Sequence, residues 1–264
     1  MGLSQEAVLE AANQLWKAEQ EGHMCAPVRA SLGPDNLADA YRVQRINHER
    51  RLELGFEPIG AKIGLTSLAV QKQLGVDQPD FGRIYRQTQL GSNGEIGFSA
   101  LHQPKIEAEM AFKLGKDLPS ASCSLDEVMA AIDGVCASLE LVGSRVENWD
   151  IRIADTVADN ASASHFVLSD TLVALDRVDM KAAQMKLWKN GELVSQGRAD
   201  ACLGSPLNAL HWLALTFAEL GEPLKAGDWV LSGALGPMVS VAAGDRFTAE
   251  IEGLGSVGLN ISIS

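Results

Sequence analysis

Residues 104–114, P-K-I-E-A-E-M-A-F-K-L, constrain this chain more than any other stretch. Ile106, Ala108, Met110, Phe112 and Leu114 alternate with Lys105, Glu107, Glu109, Ala111 and Lys113, the period-2 pattern of a half-buried strand. The alternation predicts a strand with Glu107 and Glu109 on one face. Two carboxylates at i and i+2 form either a solvated charged face with the lysines or two thirds of a hard-cation site, and the strand alone favours the first. A third carboxylate shifts that balance. In G-V-C-A-S-L-E-L-V-G, 134–143, Val135, Ala137, Leu139 and Leu141 make an apolar face and Glu140 is the only charge. Strands this apolar are usually interior, where a lone carboxylate costs several kcal/mol in effect, so Glu140 needs a cation, a proton or a dense set of hydrogen bonds. Glu107, Glu109 and Glu140 on neighbouring strands would give one divalent metal three oxygen ligands and leave the rest of an octahedron for substrate and water.

Composition narrows the partners. The 264 residues are 46% hydrophobic, enough for a buried core in one large domain or in a small domain attached to a larger one. A net charge of -12 and a pI of about 4.9 argue against non-specific binding to nucleic acid or an anionic membrane, both of which need a basic surface. An anionic small substrate would have to be met by local positive charge or a metal. Cys25, Cys123, Cys136 and Cys202 are widely spaced, with no C-x-x-C, which fits a reducing cytosol and gives no zinc-thiolate pattern. The start, M-G-L-S-Q-E-A, lacks a basic region followed by an apolar one, and no apolar run approaches about 18 residues. Gly2 has no Ser or Thr at the myristoylation position. The expected location is cytoplasmic.

In chain order, Val8, Leu9, Ala12, Leu15 and Trp16 predict a helix over 4–21, with Ser4 as N-cap and Gly22 as stop. A second helix is expected over 36–54, with Leu37, Ala40, Tyr41, Gln44 and Ile46 inward and Gly55 ending it. Pro27, Gly33 and Pro34 separate the two, so residues 1–57 read as a helical cap and 58–264 as a β-rich catalytic domain. I-G-A-K-I-G-L-T, 59–66, reads as a strand in which Lys62 is either a lysine snorkelling from a strand edge or a buried charge with a purpose. A short helix is expected over 67–74, and G-V-D-Q-P-D-F-G, 75–82, reads as a turn-rich loop carrying Asp77 and Asp80. Ser124 and Glu127 form a capping box for a helix burying Val128, Ala131 and Ile132, which leads into the Glu140 strand. Residues 144–162, dense in Asp and Asn, read as a long polar functional loop. A helix over 205–220 and strands at 229–231, 247–251 and 257–263 complete the reading.

Other motifs carry no chemistry. G-L-G-S-V-G, 253–258, has the dinucleotide spacing, but only six residues follow it, too few for the helix that would hold a pyrophosphate, so it reads as a turn. There is no G-x-S-x-G, no phosphate-binding P-loop and no H-E-x-x-H. The five histidines lack ligand spacing, and His165 alone falls close enough to the polar segment to line a pocket.

Six motifs, G-A-K-I-G-L-T-S (60–67), G-V-D-Q-P-D-F-G (75–82), K-I-E-A-E (105–109), L-E-L-V-G-S-R (139–145), D-T-V-A-D-N-A-S (155–162) and G-A-L-G-P-M-V (233–239), resemble the 2-hydroxypenta-2,4-dienoate hydratases of the fumarylacetoacetate hydrolase superfamily. The resemblance runs over nearly the full length in the same order. It implies an α+β fold with a mixed β-barrel or β-roll core behind the N-terminal helical cap, and a homo-oligomer, pentamer or decamer. It implies Mg2+ or Mn2+ held by Glu107, Glu109 and Glu140, with Lys62 and Asp80 as acid/base and charge-balancing pair. Ser162, Ser232 and Gly233 would contact substrate. The 4-oxalocrotonate decarboxylases share most of these motifs, but the L-G-P at 235–237 sides with hydratase, and association with a related decarboxylase is a further implication. Ala163-Ser164-His165 departs from the family pattern near the substrate tail. The implied reaction is addition of water to 2-hydroxypenta-2,4-dienoate or a homologue, giving 4-hydroxy-2-oxopentanoate in aromatic catabolism. Decarboxylation, acylpyruvate hydrolysis and a non-catalytic partner role are the alternatives.

Overall fold

The computed structural model describes residues 3–68, 71 and 76–264. Helices α1 (Gln5–Glu21), α2 (Arg29–Leu32) and α3 (Leu37–Glu53) occupy the N-terminal part. Ser4 caps α1 by accepting from Ala7 N, and Gly22 closes it in the left-handed region, as the sequence predicts. Asn36 caps α3, whose buried residues are Asp39, Ala40, Val43, Gln44 and Asn47. The inner face is thus centred on Val43 rather than Ile46. Gln44 donates to the Phe81 and Val157 carbonyls and so holds the cap to the rest, while Asn47 donates to the Ala12 carbonyl and ties α3 to α1. The single-turn α2 was not expected from the sequence. The helix expected over 67–74 lies largely outside the described residues.

Two mixed sheets form the body. The larger has the order β2 (Asp80–Tyr85), β1 (Pro58–Gly64), β10 (Trp229–Ala234), β5 (Lys105–Leu114), β6 (Ile132–Val142), β7 (Ala163–Leu168) and β3 (Gln89–Leu90), with β11 (Val239–Ser240) also on β5. In it β1 pairs parallel with β10 and β3 with β7, the other pairs being antiparallel. The smaller has the order β4 (Gly94–Gly97), β13 (Gly255–Ser262), β12 (Arg246–Ile251), β8 (Gln184–Lys189) and β9 (Glu192–Arg198). Helices α4 (Leu125–Ala131), α5 (Ile153–Ala158) and α6 (Pro206–Glu219) complete the chain. The capping box of Ser124 and Glu127 opens α4, and Ser205 caps α6 with Pro206 in its first turn.

Four departures from the sequence reading have physical causes. β5 is interior rather than half-buried: Glu109 and Ala111 are as inaccessible as Met110 and Phe112. One face packs in the main core and the other against Cys136, Phe166, Leu168 and Leu231. Asp80 opens a strand instead of sitting in a turn, because Pro79 and Gly82 resemble turn residues while the chain pairs with β1 from Asp80 onward. Residues 144–162 are not all loop; α5 lies within them, buried along its length through packing against α1–α3. The hairpin β8–β9 turns at Asn190 (φ 54°) and Gly191 (φ 88°), a signal present in the sequence as K-N-G-E. Of the glycines at 253–258, Gly253 (φ 82°) sits in the turn between β12 and β13, and Gly255 and Gly258 pair with β12 in the strand that follows. Among the described residues no helix is long and apolar enough to cross a membrane.

Candidate metal and catalytic site

The register of β5 on β6 sets Glu107 opposite Glu140 and Glu109 opposite Ser138, so the three carboxylates meet on one face of the sheet. One oxygen from each lies within 4.8 Å of the other two. Glu109 and Glu140 are buried and Glu107 half-buried. Glu109 Oε2 accepts from Gly233 N at 2.9 Å, while Glu109 Oε1 and both Glu140 oxygens have no hydrogen-bond partner. Burial pushes all three carboxyls up, Glu140 to about 7 and Glu109 well above the ordinary range. For Glu109 the charges of Glu140 and Glu107 add to this, and for each of the three Lys62 opposes it. Buried carboxylates crowded this closely, with several oxygens unpartnered, are costly alone, and an all-oxygen set of this kind fits a hard divalent cation.

Lys62 lies inside this cluster at 3% exposure, so its ammonium does not snorkel to solvent. Its Nζ is 3.2 Å from Glu140 Oε1 and donates to the Ala161 carbonyl at 3.0 Å. Burial works against its charge, but Glu140, Asp80, Glu107 and Glu109 together outweigh burial and raise its pKa. Asp80 is equally inaccessible, and its Oδ1 is unpartnered. Burial raises the Asp80 carboxyl, with Lys62 opposing. Gly64 makes room for both: a methyl group there would fall 2.2 Å from Asp80 Oδ1 and 3.4 Å from Lys62 Nζ.

Gly233 adopts φ 99° and leaves no space for a side chain against Thr66, which brings its N–H onto Glu109. The Ser232 hydroxyl accepts from Met110 N and donates to the Gly233 carbonyl. Ser162 follows Ala161 in a tight turn, and its hydroxyl meets that of Thr156 at 3.1 Å. His165 lines a polar cavity of about 180 Å³ with Arg51, Arg83, His102 and Arg145, and none of the three glutamates lines it. Its Nδ1 meets Ser164 Oγ at 2.9 Å, and burial holds its imidazole down at about 4. A cleft of about 300 Å³ between Tyr41, Gln44, Phe81 and Leu220 likewise excludes the carboxylates. Gly64, Thr66 and Asn160 border the site and were not singled out in the sequence. Only Asn160 left a trace there, as a residue tolerant of left-handed backbone.

Residues 70–262 match the profile described as fumarylacetoacetate (FAA) hydrolase C-terminal. A 2-keto-4-pentenoate hydratase from Paraburkholderia xenovorans (strain LB400) is 50% identical over 248 residues, covering 94% of this chain and 92% of that one. This chain belongs to the fumarylacetoacetate hydrolase family. A 2-keto-4-pentenoate hydratase 3 from Pseudomonas putida matches with the same identity and coverage. Among solved structures, a 4-oxalocrotonate decarboxylase from Pseudomonas putida G7, complexed with magnesium and adipate, superposes with a TM-score of 0.94. It is 36% identical, and the alignment covers 98% of each chain. The family match takes in Asp80 and the three glutamates, while Lys62 and α1–α3 precede it.

Proposed function

We propose that this chain is a divalent-metal-dependent hydro-lyase that adds water to 2-hydroxypenta-2,4-dienoate or a close homologue, giving 4-hydroxy-2-oxopentanoate. The observation that carries the proposal is the convergence of Glu107, Glu109 and Glu140 with Lys62 and Asp80 in a chain half identical to 2-keto-4-pentenoate hydratases. Glu107, Glu109 and Glu140 would hold Mg2+ or Mn2+, in keeping with the magnesium of the decarboxylase neighbour. Bound there, a divalent cation supplies positive charge for the carboxylate and C2 oxygens of the substrate.

The remaining work falls to side chains. Three glutamates, an ionised Asp80 and a divalent ion sum to two negative charges, and the Lys62 ammonium reduces this to one, which eases entry of an anionic substrate. Because Lys62 is held charged, Asp80, with its free oxygen, is the group left to exchange protons. In the proposed sequence Asp80 takes the C2 hydroxyl proton and returns it at C5. The resulting enone is electrophilic at C4, where water adds its hydroxyl while a proton enters at C3. Gly233 N–H fixes the Glu109 carboxylate, Ser232 supports that loop, and Ser162 reaches substrate by exchanging its Thr156 partner. We read the two sheets as the β-roll or β-barrel core of the family, with 1–57 as helical cap and 58–264 as catalytic unit. The proposal extends to a cytoplasmic homo-oligomer in aromatic catabolism, whose assembly sedimentation of the purified protein would test.

A decarboxylase reading draws on the structural neighbour, but that protein is 36% identical against 50% for the hydratases. The deciding experiment is an assay of purified protein with 2-hydroxypentadienoate, 4-oxalocrotonate and an acylpyruvate, with and without Mg2+ or Mn2+. Metal-dependent loss of the dienoate chromophore without CO2 is expected. Release of CO2 from 4-oxalocrotonate as the main reaction would overturn the hydratase reading.

A further inference from the structure

Beside the cluster runs a backbone segment that is costly in itself. Asn160, Ala161 and Ser162 have φ of 53°, 51° and 56°, three consecutive left-handed residues of which none is glycine. Left-handed L-residues occur as single exceptions, and a run of them persists only where the surroundings over-determine it. Here they do. The Asn160 carboxamide accepts from Arg83 N at 2.8 Å and donates to Arg83 O at 3.0 Å, clamping the turn to β2. Gly82 clears the space beneath it, since a methyl group there would fall 2.1 Å from the Asn160 carbonyl oxygen. Arg145 holds the flanks through the Asp159 carboxylate, the Asp159 carbonyl and the Ala163 carbonyl. Gly143 N donates to Ser162 O at 2.8 Å.

What this cage presents inward is the Ala161 carbonyl, 3.0 Å from Lys62 Nζ. An ammonium on a four-carbon stem has several rotamers. Glu140 on one side and a fixed carbonyl on the other face two of the three Lys62 N–H bonds and so set the direction of the third. A carbonyl delivered from a relaxed turn would lie elsewhere. We propose that Asn160 is a positioning residue: by clamping the left-handed turn to β2, it sets the Ala161 carbonyl against which the Lys62 ammonium is oriented. The inference rests on the reading of Lys62 as a participant in the hydration.

The test is Asn160→Gly, which keeps the ease of positive φ and removes the clamp. We expect Mn2+ affinity by calorimetry to stay within twofold, KM to change little, and kcat to fall by roughly 10-fold or more. In a Lys62→Met background the same change should cost nothing further, because the group it serves is gone. Gly82→Ala, which pushes the turn from the β2 side, should reproduce the signature and decides the matter if Asn160→Gly does not fold. Wild-type kcat in these variants, with Lys62→Met slowed, overturns the positioning role and leaves Lys62 in place. An equal loss in both backgrounds overturns it too, by showing a merely structural effect. Wild-type kcat in Lys62→Met itself removes the reading of Lys62 and the inference with it.

Discussion

Lys62 separates chemistry from packing at the scale of one residue. Its stem is buried and its ammonium faces four carboxylates, so Lys62→Met keeps the stem and removes the charge. We expect the Met variant to keep fold and metal affinity while kcat falls by about 10²-fold or more. Unchanged turnover would reduce Lys62 to a packing residue. Lys62→Arg keeps charge without a titratable group near neutrality, so recovery of activity there would give Lys62 an electrostatic role and leave proton exchange to Asp80. His48, away from the cluster, contributes to the pH dependence of stability. It meets the Tyr85 hydroxyl at 2.8 Å, and burial, with the Arg83 charge second, holds its imidazole down at about 4. Arg51, Glu49 and Glu222 also face it. Its folded pKa is below the unfolded value of 6.5, so the unfolded chain takes the proton first. The stability it contributes is full above pH 6.5 and is lost as pH falls toward about 4. The wild-type urea midpoint should therefore fall relative to that of His48→Gln between pH 7 and pH 4.5; parallel curves for the two proteins would refute the assignment.

At the scale of elements, α5 shows how a piece of structure can be dictated from far away in sequence. Six residues are too few for a helix to stand alone in water. Asp155 holds it by accepting from Arg152 N at its start and from both the backbone and guanidinium of Arg29 in α2. Asp155→Ala leaves the partly buried Arg29 donors and the Arg152 N–H without this acceptor and should cost roughly 2 kcal/mol of unfolding free energy in urea titrations. A loss under about 1 kcal/mol would mean that α5 is held by apolar packing alone. The same dependence explains why the sequence read this stretch as loop: the partner of Asp155 lies 126 residues away, and Asp and Asn in quick succession mimic turn chemistry. By contrast the carboxylate cluster was legible, because i, i+2 spacing on one strand and a lone charge in an apolar strand are local patterns. α1, α3, α4 and α6 were legible through their caps. Asn160 was not, since a left-handed run is selected by what clamps it rather than by its own residues.

For the whole molecule, the consequence is a tension between function and stability. The chain buries three mutually repelling glutamates and Asp80 against one lysine, and does so in the strands that organise its core. An opposite charge bound only to the folded state reverses that cost by mass action. Saturation at a hundred times the dissociation constant adds about 2.7 kcal/mol, which for a chain of this size raises Tm by roughly 5 °C. Glu140→Gln should abolish the shift, since an amide is a poorer ligand for a hard cation. With metal chelated, however, the same variant should melt at or above the chelated wild type, because three buried carboxylates instead of four then face the one Lys62 ammonium. Scanning calorimetry of both proteins, chelated and with Mn2+, tests these two signs together. A wild type that melts at one temperature in both conditions, or a Glu140→Gln variant that keeps the full Mn2+ shift, would remove Glu107, Glu109 and Glu140 as the metal site.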